Sequence, residues 1–73
     1  MLFSRKEAIL QELRAIRIHG TPFYDIVYTY TEQLDPRPES ARISEQLIYP
    51  NAQAGDRVLI EKIANTVMRV EKL

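Results

Sequence analysis

Apolar residues recur near the start of the chain at helical spacing. Ile9, Leu13 and Ile16 stand at i, i+4 and i+7, with Leu10 beside them, and a helix would gather them into one stripe. Ser4 and Glu7 have the spacing of a capping box, in which the hydroxyl accepts from the Glu7 amide and the carboxylate reaches back to the Ser4 amide. Arg17 and His19 would place positive charge in the last turn, where it suits the helix dipole. Gly20 offers a stop, and Thr21-Pro22 bars continuation. This pattern predicts a helix over about residues 4–19.

The pattern then changes period. Residues 23–32 are aromatic and β-branched, with Tyr24, Ile26, Tyr28 and Tyr30 on one face and Asp25, Val27, Thr29 and Thr31 on the other. This alternation predicts a strand. Pro36 and Pro38 force a loop over 35–40. Ala41 to Tyr49 alternates again and predicts a second strand, paired with the first as a hairpin and ended by Pro50-Asn51.

The last segment has two readings. Leu59, Ile63, Val67 and Val70 stack at helical spacing behind an Asp56 N-cap, which predicts a helix over 57–73. Against this, Val58, Ile60, Ile63, Thr66, Val67 and Val70 are β-branched. Ala64-Asn65 could then turn between two short strands. A helix to Asn65 followed by a strand from Val67 to Glu71 is a mixed form. The helix is the preferred reading because no strong breaker interrupts the segment. Residues 1–73 are thus expected to form a single small α+β domain in the order α-β-β-α. A two- or three-stranded antiparallel sheet would carry two amphipathic helices on one face. Leu13→Ala and Ile63→Ala are expected to act as core truncations.

Composition narrows the functions. The 73 residues are 45% apolar and 27% charged, which is a foldable balance. With no Cys there is no disulfide framework or thiolate zinc site, and one His cannot build a His-rich centre. Domains this short usually need a staple or an assembly, so self-association is expected. Ten basic and ten acidic residues give no net charge, which argues against electrostatic nucleic-acid binding. The balance is uneven along the chain: +2 over 1–20, −3 over 21–50 and +1 over 51–73. No stretch suits a membrane span, and the early charges leave no signal-peptide core, so a cytoplasmic location is expected.

Catalytic chemistry has little to build on. Gly20 and Gly55 stand alone, so no phosphate-cradling loop can form. His19, at a helix end, reads as a dipole partner rather than a base. An enzyme would need Asp25, Glu45 and His19 to converge in a pocket. We therefore expect no enzyme activity and assign no catalytic, cofactor-binding or metal residues.

The tyrosine row Tyr24, Tyr28 and Tyr30 is the most suggestive feature. It can be the sheet's core face, a protein interface, or a base-stacking platform. Arg14 and Arg17 could meet an acidic partner or phosphates, or simply flank the helix in solvent. The expected function is non-enzymatic: a small adaptor, regulator or assembly subunit that binds a protein partner or itself through an aromatic and aliphatic patch. Arg14 and Arg17 would orient the contact.

The order helix, strand, strand, helix, with Thr21-Pro22-Phe23-Tyr24 leading into the first strand, resembles the double-stranded-RNA-binding fold. That resemblance implies nucleic-acid binding as the alternative function. The family uses a lysine-rich start to its last helix, where this chain has Gly55-Asp56-Arg57. The run from Ile60 to Leu73 also looks like the end of the small linker domains of phycobilisomes. Those end in a helix turn, a glycine pair and a strand; Ala64-Asn65 replaces the glycines here.

Overall fold

The computed structural model describes residues 2–35 and 37–73. It is all-β. The strands are β1 (Phe3–Ile18), β2 (Thr21–Tyr30), β3 (Glu39–Ser44), β4 (Arg57–Ile63) and β5 (Thr66–Lys72). All pairs are antiparallel, in one open sheet of order β3-β2-β1-β4-β5. A single 3-10 turn, Glu45–Leu47, follows β3 among the described residues.

The α+β expectation is therefore overturned, and with it the α-β-β-α outline shared with the double-stranded-RNA-binding fold. Residues 4–18 are strand, and residues 57–73 hold two strands around an Ala64-Asn65 turn, the reading set second. Ile60–Ile63, matched to the helix turn of the phycobilisome linkers, is strand as well. The strand expected over 41–49 runs from Glu39 to Ser44 and gives way to the 3-10 turn. Of the loop expected over 35–40, Pro36 lies outside the described residues.

Two β-bulges explain why helical spacing misleads here. In β1 the register shifts between Leu10 and Glu12, which leaves Gln11 as an extra residue. Leu10 and Leu13, three apart, then share one face, while Ile9 and Ile16 lie on the other. In β5, Arg69 and Val67 pair with adjacent residues Glu61 and Lys62, so Met68 is extra. Val67 and Val70 then share a face at spacing three. One inserted residue turns period two into a local step of three, which imitates a helix. The bulge also bends β1. Sixteen straight strand residues would span about 50 Å, yet the molecule's longest dimension is 39 Å.

The inner face carries the core: Ala8 and Leu10 from β1, Ile26, Tyr28 and Tyr30 from β2, Ile43, Val58, Ile60, Val67 and Val70. No helix covers it. The connection from β3 to β4 crosses it instead and packs Leu47, Ile48, Tyr49 and Ala52 against the core. Ile48 bridges to Val70 in parallel, and the Tyr49 hydroxyl donates to Asp56 Oδ2 at 2.6 Å. The Gln53 amide donates to the same carboxylate at 3.1 Å. These two donors hold the Asp56 carboxyl below its usual range. Lys62 reaches Glu39 at 3.3 Å and ties β4 to β3, which matches a sheet curled until β3 nears β5. Leu13 and Ile63 are only half-buried, so neither is the full core truncation site expected.

Candidate interaction surface

The bulge divides β1 into two unlike halves. Phe3–Ile9 pairs with β4 along its length, and β2 joins on the other side at Ala8 and Ile9. At Leu10 the β4 flank ends: its amide donates to the Asp56 carbonyl at 3.0 Å, and its carbonyl accepts from the Gly55 amide at 2.7 Å. Gln11–Ile18 continues with β2 as its only paired strand among the described residues. This half and Thr21–Val27 of β2 form a limb that β3 borders along Phe23–Val27 and whose hairpin end projects beyond it.

The limb closes on a two-residue turn. Ile18 pairs with Thr21, while His19 and Gly20 have φ of 51° and 81°. Two consecutive positive φ values mark the type I′ geometry that matches strand twist. His19-Gly20 is thus a hairpin turn, and the helix stop expected at Gly20 does not exist. The Arg17 guanidinium donates to the Gly20 carbonyl at 3.0 Å.

Ladder alternation fixes which backbone groups are open. The closing pair Ile18–Thr21 faces inward to the hairpin, so Ile16, Arg14 and Glu12 also face β2. Leu13, Ala15 and Arg17 aim their N–H and C=O groups at the open side. Among the described residues no backbone group meets them there. Leu13, Ala15 and Arg17 lie on the inner face, and Arg14, Ile16 and Ile18 on the outer face with Asp25, Phe23 and Thr21 opposite. Leu13, Ile16, Ile18, Phe23 and Tyr24 are all half-exposed.

The five expected interface residues separate. Tyr28 and Tyr30 are core, 1% and 7% exposed, with rings edge to face at 5.5 Å. Burial and nearby Tyr30 and Glu39 push the Tyr28 hydroxyl well above its usual range. The Tyr28 hydroxyl donates to Glu39 Oε1, and the Lys6 ammonium sits over the Tyr30 ring at 5.6 Å. Tyr24 is half-buried at the root of the limb. Arg14 and Arg17 are both on the limb, on opposite faces. The row is therefore no continuous exposed patch, and the two arginines stand on one strand edge, one to each face.

Most charge on the outer face is paired. Arg42 grips Asp25 at 2.8 and 3.2 Å, and this hydrogen bonding holds the Asp25 carboxyl below its usual range. Arg57 pairs with Glu7, Arg5 with Glu61 and Glu71, and Arg69 with Glu71. Arg14 has a looser contact with Asp25, 3.7 Å, from a side chain 79% exposed. Arg17 has no carboxylate within reach among the described residues. Asp25, Glu45 and His19 line no common groove there. No metal-competent cluster of His, Cys, Asp or Glu forms there either.

Sequence reasoning missed Leu13, Ala15, Ile16, Ile18 and Phe23 as surface residues because it wound the first four into a helix. The available signal was the alternation Arg14, Ile16, Ile18 running into His19-Gly20. No family model, curated protein or solved structure matches the chain.

Proposed function

We propose that the chain is a protein-binding module whose contact surface is the limb formed by Gln11–Ile18 and Thr21–Val27. The observation that carries this is the open edge of β1. Half of the longest strand pairs on one side only and leaves the outward backbone groups of Leu13, Ala15 and Arg17 without a neighbouring strand, between half-exposed apolar side chains on both faces. Such an edge is a template for strand addition, in which main-chain hydrogen bonds give affinity and flanking side chains give choice. Paired carboxylates beside the outer-face arginines favour a protein over a polyanion such as nucleic acid.

The test compares the whole chain with Ile16→Asp/Ile18→Asp as immobilised baits in a native extract, at 0.15 M and 1 M salt. The wild-type chain is expected to hold a protein at both salt levels, and the variant to lose it while keeping a cooperative melt. Retention by both baits alike, or nucleic acid released at 1 M salt, rejects the reading.

A further inference from the structure

We infer that the open edge of β1 receives an extended acidic segment of a different protein, and not a second copy of this chain. The inference rests on the limb being the binding surface. An added strand would bond to Leu13, Ala15 and Arg17, whose backbone groups point outward. Its side chains would alternate across two faces, meeting Leu13 and Arg17 on one and Arg14, Ile16 and Ile18 on the other. Each face therefore offers one arginine beside aliphatic carbon. Neither arginine has a carboxylate of its own: Arg14 shares Asp25 at 3.7 Å with the closer Arg42, and Arg17 holds only a carbonyl. Glu12, at the root, is the limb's acidic residue on this strand. Carboxylates spaced among aliphatic residues complete that surface, because opposite charges across neighbouring strands stabilise pairing and like charges oppose it.

The same rule removes the second copy. Two antiparallel edges related by a twofold axis place residues of the same face opposite one another. A register centred on Arg14 or Arg17 sets that arginine against itself. One centred on Ala15 puts the two Arg14 side chains on a diagonal, and one centred on Ile16 does so with Arg17. Only a centre at Leu13 sets Glu12 opposite Arg14. That register drives residues from Ile16 onward into the Gly55–Asp56 turn that already caps Leu10.

The probes are a capped eight-residue peptide of glutamate and valine, its lysine-for-glutamate counterpart, and the glutamate peptide N-methylated at alternate residues. Each is titrated into the whole chain at 0.15 M salt, with amide exchange followed. The glutamate peptide is expected to bind at least tenfold more tightly than the other two and to slow exchange at Leu13, Ala15 and Arg17. Ala15→Pro removes one outward N–H without touching the β1–β2 ladder, and it should abolish binding with the melt retained. Arg14→Glu/Arg17→Glu should reverse the preference, and it serves alone if the proline variant does not fold. Equal binding of the two charged peptides overturns the proposal. So does competition by an eight-nucleotide oligothymidylate, or a dimer that Ala15→Pro dissolves. A natural protein lost by Ile16→Asp/Ile18→Asp with no glutamate-peptide binding rejects the acidic partner alone. Retention by that variant rejects the limb itself.

Discussion

The two halves of β1 share one strand and differ in everything that surrounds them. Phe3–Ile9 pairs with β4 throughout and gains β2 as a second neighbour at Ala8 and Ile9, and Ala8 is fully buried there. Gln11–Ile18 has one neighbour and no fully buried residue. A single extra residue, Gln11, separates them. Stability and binding are thereby assigned to different stretches of the same strand. Bonding on both sides of the strand is concentrated at Ala8–Leu10, and beyond it the projecting half pairs with β2 and leaves its other side open.

Several substitutions would break or sharpen that contrast. The largest effect is expected from Leu10→Ala, at the boundary and fully buried, with a loss of about 2–5 kcal/mol. Ile16→Ala, six residues on, should cost less than about 1 kcal/mol, because half-exposed carbon leaves little cavity. Denaturant titrations of the two variants check this, and equal losses would show the limb to be core. Next in size is a proline pair. Ile16→Pro removes a bond of the β1–β2 ladder and should cost about 1–3 kcal/mol. Ala15→Pro should stay within about 1 kcal/mol of the parent. Reversed sizes in the same titrations would mean that the open side was misassigned.

A smaller effect separates the two hairpin turns. The limb uses His19-Gly20, whereas β4–β5 turns at Ala64, held at φ 53° without glycine's freedom. Ala64→Gly should therefore raise stability by about 0.5–1 kcal/mol, read as a higher melting temperature. A lower one would mean that the alanine side chain contributes contacts the turn needs.

The pH dependence has two limbs. Asp25, on the projecting half, and Asp56, at the cap of the flanked half, both have lowered pKa values. Their contribution is present above the unfolded value of about 4 and is lost as pH falls through the folded one. Tyr28 and Tyr49 are raised by burial, so their contribution is present below about pH 10 and is lost as pH rises beyond it. Melting temperature should be flat from about pH 5 to 9 and fall on both sides. Tyr49→Phe should weaken both limbs, because the hydroxyl both stabilises the Asp56 carboxylate and is itself desolvated. An unchanged profile would show that this contact does not hold in solution.

Part of this was legible in the chain. The alternation from Tyr24 to Tyr30 fixed β2 and the buried face of its tyrosines, because nothing interrupts period two there. β1 and β5 were hidden by their bulges, since Leu10 with Leu13 and Val67 with Val70 carry helical spacing for a strand reason. Arg14 and Arg17 could be singled out by type, but their placement could not, because a helix brings residues three apart to one side whereas this strand sets them on two faces of one edge. The open edge itself has no sequence signature. It follows from β4 beginning at Arg57, opposite Ile9, which is a non-local fact.

That non-local pairing also sets the order of assembly. β1, β2 and β3 are joined to their neighbours by local connections, as are β4 and β5. The strand ladder between the two blocks is Phe3–Ile9 against Arg57–Ile63, about fifty residues apart in the chain. Loop-closure entropy must be met before that ladder is rewarded. Docking of a preformed β4–β5 hairpin onto the β1–β3 meander is then the slow event. A chain cut in the connection at Asn51 should yield two fragments that regain the sheet on mixing, at a rate set by their concentration.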